Sequence, residues 1–199
     1  MIDIDKSKKK TIITIIGRSS VGKDYIARRL SAIFGYPLIV SHTTRPMRKK
    51  ETDGVEHWFD TKEEFQNVLD NQTVIAYTKI GEYEYCATLE DIKQDSIYII
   101  DPDGLEYLKT NFGNELDIIT VYIYCDDSVR KIRSSMRQDL VADWEKRNKA
   151  EDRQFMEFEA DRKWDVIIDN SGRLHLDEAK KRIRKEIERI NEKNGKSVC

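Results

Sequence analysis

The sequence predicts an α/β fold, a parallel β-sheet flanked by helices, and three observations carry that prediction. Apolar runs at residues 11–16, 96–100, 117–124 and 166–169 are too continuous for a sheet with one face in water. Segments with apolar residues at helical spacing lie between them. A glycine loop, Gly17-Arg18-Ser19-Ser20-Val21-Gly22-Lys23-Asp24, joins the first run to the first such segment. Strand, loop and helix in that order are the context in which G-x-x-x-x-G-K binds phosphate. The glycines let backbone N–H groups converge on an anion, the helix start adds partial positive charge, and Lys23 reaches the outer phosphates. The fold class is thereby the P-loop NTPase fold.

Each element has its own signal. Thr11-Ile12-Ile13-Thr14-Ile15-Ile16 reads as a buried strand, and Tyr25, Ile26, Leu30 and Ile33 then recur with helical period. Leu38-Ile39-Val40 predicts a short buried strand leading into Ser41-His42-Thr43-Thr44-Arg45. Residues 45–56 are basic, then acidic, with little apolar content, and read as an exposed loop. Thr61 and Glu64 form a capping box that opens a short helix through Phe65, Val68 and Leu69. Residues 74–80 and 82–87 predict a hairpin bent around Gly81, and Thr88 to Asp91 start another short helix. The run at 96–100 is a buried strand ending in the carboxylate of Asp101. Residues 128–163 are almost entirely helical and highly charged. The last helix sets Leu176, Ala179, Ile183, Ile187 and Ile190 on one face and ends in a frayed tail at 191–199. The hairpin and short helix within 44–88 interrupt the alternation and read as an insertion of mixed β/α structure.

Composition narrows the class. At 199 residues the chain suits a single domain with a sizeable core. With 36% charged and 39% hydrophobic residues it has a dense, mixed-sign surface. A formal net charge of -2 gives no electrostatic basis for nucleic-acid binding. No apolar stretch approaches a membrane span and the N-terminal residues lack a signal-peptide pattern, so a cytoplasmic protein without membrane contact is expected. Cys86, Cys125 and Cys199 are odd in number and lack metal spacing, which fits reduced thiols, and His42, His57 and His175 are too dispersed for a zinc site.

Several groups beyond the loop carry chemistry. Asp24 stands where a hydroxyl that ligates Mg²⁺ normally follows the lysine. A carboxylate there repels a triphosphate by on the order of 3 kcal/mol at about 5 Å, while the helix dipole returns only about 0.3–1 kcal/mol. A cation between Asp24 and the phosphates offsets that cost, so Mg²⁺ with ATP is expected. Arg45 and Arg48, three residues apart, suit the oxygens of a second phosphate. Asp101, at a strand end, suits hydrated Mg²⁺ or else a turn before Pro102. Arg133, Arg137 and Arg147 suit charge neutralisation over transferring phosphates, set against the alternative of a solvated helix face. Tyr85 offers a hydroxyl to a phosphate or packs against the hairpin.

With these residues assembled, the chain resembles the guanylate kinase family of nucleoside monophosphate kinases from about residue 11 to 190. Ser41-His-Thr-Thr-Arg45-Pro-Met-Arg48 is similar to the family's S-x-T-T-R-x-x-R segment, and Glu51-Thr-Asp-Gly54 to its E-x-x-G loop. Arg133 to Arg137 resembles the R-x-x-x-R of the lid, Lys146-Arg147 its second basic pair, and residues 166–170 the late strand whose end borders adenine. The resemblance implies ATP binding by Gly17, Arg18, Ser19, Ser20, Val21, Gly22, Lys23, Asp24, Arg133 and Asn170. It implies an acceptor phosphate held by Ser41, Arg45, Arg48, His57 and Tyr85, with Asp103 nearby. Lys23, Arg45, Arg137 and Arg147 would act on the transferring group, and Asp24 and Asp101 on the metal. It also implies a core at about 11–43, 89–127 and 164–190, an acceptor-binding subdomain at about 44–88, and a helical lid region at about 128–163.

The departures concern the base of the acceptor. Ala76 falls where the family has a carboxylate on the Watson–Crick edge of guanine, and Ala87 where it has a small hydroxyl. His57 replaces a tyrosine, Cys86 a glycine, and the segment between Asp103 and Gly104 is shortened. Thr78, Glu84, Thr88 and Asp103 are the nearby candidates to compensate, and the sequence alone does not place them. The expected activity is transfer of the γ-phosphoryl of ATP to a nucleoside monophosphate, GMP or dGMP by family precedent. The alternatives are another phosphorylated acceptor, such as a ribose bisphosphate, and a non-catalytic binding module. A monomer or homodimer is expected.

Overall fold

The computed structural model describes residues 9–136, 141–174 and 176–194, leaving aside the side chains of 141–143 and 147. Strands β1 (Lys10–Ile16), β6 (Ser96–Ile99), β7 (Leu116–Tyr124) and β8 (Val166–Asp169) form a sheet in the order β6-β1-β7-β8, parallel throughout. Its central strand is the apolar run that precedes the glycine loop. Because side chains alternate across a strand, Ile13 and Ile15 point to one face and Ile12 and Ile16 to the other. The first face packs on α1 (Lys23–Phe34) through Ile26, Ala27 and Leu30, and on α6 (Leu176–Lys193) through Ala179 and Ile183. The second packs on α3 (Pro102–Phe112) through Leu105 and Leu108, and on α5 (Val141–Ala160) through Phe155 and Phe158. Both faces are covered, as continuous apolar strands require.

A second, mixed sheet has the order β3-β2-β5-β4, from β2 (His42–Thr43), β3 (Trp58–Phe59), β4 (Val74–Ile80) and β5 (Tyr83–Thr88). Gly81 turns the β4–β5 hairpin with φ 65°. Helix α2 (Lys62–Asn71) opens on the Thr61–Glu64 capping box and buries Phe65 and Val68 against Cys86. A single 3-10 turn follows at Leu89–Asp91.

Three expectations need correction. Residues 38–40 make no strand: Leu38 forms one bridge to Ile97, and the strand lies two residues beyond Val40, in the other sheet. A three-residue apolar run covers only one contact with a sheet edge. The stretch 45–56 is irregular but not wholly exposed, since Arg45 is buried. Helix α6 continues to Lys193, so the tail is helical past 191, and 195–199 lie outside the described residues. The described part of 128–163 is almost entirely helical, as expected, in α4 (Asp127–Met136) and α5, and within it Arg130 is 1% exposed. No helix among the described residues is long and apolar enough to cross a membrane.

Candidate active site

The glycine loop leaves the end of β1 and enters α1, and its shape depends on what surrounds it. Gly17 lies so close to β7 that a Cβ would stand 2.6 Å from the Ile123 carbonyl oxygen. Gly22 is left-handed, with φ 93°, and a Cβ there would meet the Asn170 amide at 2.8 Å. Ser20 also adopts a left-handed conformation, φ 67°, a strain of about 1–3 kcal/mol of the sort held at functional loops. Val21 is buried in the core and its carbonyl accepts from Asn170 Nδ2 at 2.8 Å and from Arg133 Nη1 at 3.1 Å. Arg133 also donates to the Asn170 carbonyl at 2.8 Å. Asn170 and Arg133 thus brace the loop from beneath. Arg133 holds loop backbone here rather than standing over the phosphates. Gly17→Ala is expected to destabilise the protein by about 1–3 kcal/mol, as overpacking against a fixed carbonyl does, read as a lower midpoint in thermal unfolding.

Lys23 folds back across the loop, its Nζ donating to the carbonyls of Gly17 at 2.7 Å and Arg18 at 3.2 Å. Asp24 is exposed in the first turn of α1. The Arg18 side chain turns away from the loop: Nε and Nη2 form a fork on Glu159, both at 2.9 Å, and Nη1 pairs with Asp152. These carboxylates of α5 hold its guanidinium protonated. The Ser19 amide and hydroxyl both donate to Glu151 of the same helix.

The mixed sheet and the segment between its strands gather a second group of charged and polar residues. The Arg45 guanidinium, buried over the Phe59 ring at 5.3 Å, makes a two-point contact with Glu51 at 2.9 and 3.0 Å. Arg48 reaches the same carboxylate at 3.3 Å through Nη1 and at 2.8 Å through its backbone N–H. Burial pushes the Glu51 carboxyl up, but the Arg45 and Arg48 hydrogen bonds and charges outweigh it and hold the group below its ordinary range. His57 shares a 2.9 Å hydrogen bond with Ser41 Oγ and lies edge-on to Tyr85, ring centroids 5.8 Å apart. Burial, then the Arg45 charge, lower its pKa, so the ring is neutral near pH 7 and takes up a proton only below the ordinary histidine range. Arg28 of α1 donates to Glu56 at 2.9 Å, which ties the helix that begins at the glycine loop to this segment.

The hairpin register decides which side chains share a face. Ala76 pairs with Ala87 and Thr78 with Tyr85, which puts these four on one face. Tyr77, Cys86 and Glu84 point the other way. Cys86 packs on α2, its thiol pushed up to about 12 by burial, and Glu84 accepts from the Tyr77 hydroxyl at 2.6 Å. Glu84 therefore cannot replace a carboxylate at Ala76. Thr88 bonds Asp91 as a cap, and Asp103 accepts from Gln154 of α5 at 2.7 Å. Asp101 caps α3, its Oδ1 accepting from the amides of Asp103 and Gly104, both at 3.0 Å, and Thr78 also bonds it. Burial pushes this carboxyl up against those bonds. Asp101 is half-buried and serves as the cap of α3, the turn-forming alternative of the two. Arg137 and the Arg147 side chain lie outside the described residues.

The guanylate kinase family model, described simply as "Guanylate kinase", matches residues 8–190. The chain belongs to the guanylate kinase family. A guanylate kinase of Helicobacter hepaticus is 29% identical over 138 residues, 66% of this chain and 69% of that one. The crystal structure of guanylate kinase from Anaplasma phagocytophilum superposes with a TM-score of 0.62 at 19% identity, covering 92% of this chain and 87% of that one, a likeness of fold. Within the guanylate kinase family the chain is an ATP-dependent enzyme, a nucleoside monophosphate kinase. Sequence reasoning missed Glu51 as the partner shared by both arginines and Glu151 as a partner of the loop. Glu51 lies six residues after Arg45 in an irregular segment, where no periodicity pairs them.

Proposed function

We propose that the protein transfers the γ-phosphoryl group of ATP to the phosphate of a nucleoside monophosphate, GMP or dGMP first by family, with the phosphate loop and the Arg45 group as the two phosphate sites. One observation carries this reading: Arg28 of α1, the helix that Lys23 and Asp24 open, donates to Glu56 of the segment that follows Arg45 and Arg48, at 2.9 Å. The helix that begins at the loop is thereby tied to the segment that holds the second group. Catalysis is positioning and charge neutralisation without a covalent intermediate. Loop amides and Lys23 hold the donor, while Arg45, Arg48, Ser41, neutral His57 and Tyr85 orient the acceptor oxygen toward it. Arg137 and Arg147 supply positive charge from the lid.

Mg²⁺ bound with ATP neutralises charge on the phosphates. Asp24, exposed at the loop's end, fits as its protein ligand, directly or through water. Asp101, half-buried, has its Oδ1 engaged in capping α3 and fits less well.

A coupled assay with a panel of nucleoside monophosphates tests the activity. ADP formation that depends on a monophosphate is expected, and ADP formation with none of them would overturn the reading. Arg45→Ala and Arg48→Ala separate the two sites. Each removes a charge-assisted contact of about 1.5–3 kcal/mol, so acceptor binding should weaken roughly ten- to a hundredfold with ATP binding unchanged. Calorimetry with each nucleotide alone reads this, and equal loss for both would place the arginines outside an acceptor site.

A further inference from the structure

The phosphate loop already holds an anion, and that anion belongs to the chain. Both carboxylate oxygens of Glu151 accept from the Ser19 amide, at 2.9 and 3.0 Å, and Oε1 also accepts from the Ser19 hydroxyl. Beneath them lies Arg130, 1% exposed, whose Nε donates to the Ser19 carbonyl at 2.9 Å and whose Nη2 donates to Glu151 at 3.3 Å. The same Nη2 donates to Asn148 at 2.8 Å, and Nη1 pairs with Asp127 at 2.7 Å. A loop amide, a hydroxyl and a guanidinium converging on one carboxylate are the partners a phosphate oxygen takes.

We propose that Glu151 is a built-in competitor for the triphosphate. Its carboxylate occupies the Ser19 end of the loop in the nucleotide-free protein and leaves when the phosphates of ATP arrive, which releases that turn of α5. This rests on ATP being the donor, as proposed above. A carboxylate and a phosphate cannot share the same amide, because both bring negative charge to it. The apparent ATP affinity is then the intrinsic affinity reduced by the fraction of molecules in which Glu151 has let go. The rest of α5 need not follow, since Arg18 keeps its fork on Glu159 and Phe155 stays in the core.

Glu151→Gln tests this without changing the shape of the side chain. Replacing a charge-assisted hydrogen bond by a neutral one should tighten ATP binding about tenfold in calorimetry, and inorganic tripolyphosphate should gain likewise. Exchange of the Ser19 amide, followed by NMR without nucleotide, should accelerate. Glu157→Gln removes the same charge from an exposed position of α5 and should leave ATP binding as it is. Unchanged or weaker binding of both ligands by folded Glu151→Gln, or an equal gain in Glu157→Gln, would overturn the proposal. A gain for tripolyphosphate in a protein that does not bind ATP would support the competition and overturn only ATP as the donor.

Discussion

Lys23→Ala is expected to abolish phosphoryl transfer, lowering kcat by roughly three decades or more, while the protein stays folded. The side chain extends over the loop carbonyls of Gly17 and Arg18 rather than into either hydrophobic cluster. Its removal costs the core no packing. In the reaction the ammonium neutralises charge that grows on the transferring group, and a preorganised charge in a water-poor cleft outweighs any single neutral donor, whose loss alone costs about 10²–10³ in kcat. Turnover measured beside a thermal melt separates the two effects. A variant that melts normally and keeps more than a few per cent of wild-type turnover would remove the loop from the reaction.

The second large effect concerns the acceptor base. In the structure Ala76 and Ala87 face each other on the Tyr85 side of the hairpin, 2% and 0% exposed, and Glu84 is bonded on the opposite side. Both belong to the hydrophobic cluster that holds Ile12, Ile16 and Leu105, so a guanine edge set against them would meet only methyl groups. Each guanine polar group buried there without a partner costs about 1–3 kcal/mol. Two such losses amount to a kcat/KM for GMP roughly two to four decades below that of a site with both partners. GMP should accordingly be an unexceptional acceptor among the monophosphates. Ala76→Glu should raise the preference for GMP over AMP, measured as the ratio of the two kcat/KM values. Wild-type turnover of GMP with kcat/KM above about 10⁵ M⁻¹s⁻¹, together with rejection of AMP, would show that other residues read the guanine edge.

Much of this architecture is legible in the sequence because it rests on local rules. The run Thr11 to Ile16, the Thr61–Glu64 box and the turn at Gly81 each specify their own geometry, and the structure has them as β1, the start of α2 and the β4–β5 hairpin. The hairpin register follows from its turn, which sets Ala76 opposite Ala87. What stayed illegible is long-range pairing. Nothing in a helix dense with charge says that Arg130 is buried against Ser19, 111 residues away, or that Glu151 meets the same serine from 132 residues away. Asp101 offered two readings, metal ligand and turn former. Only the direction of the Asp103 and Gly104 amides separates them.

Helix α5 has one further consequence, which is mechanical. It is a continuous 20-residue helix whose Phe155 and Phe158 are wedged among Tyr122 and Trp164. Taken as a rigid lever pivoting at Phe155, it has unequal arms. Glu151 lies about 6 Å from the pivot and Val141 about 21 Å from it, at 1.5 Å per residue. A tilt of about 10° moves the first by about 1 Å, enough to part a hydrogen bond, and the second by nearly 4 Å over the same rise per residue. A displacement too small to disturb the aromatic fulcrum thus becomes a sweep of the far end of the helix.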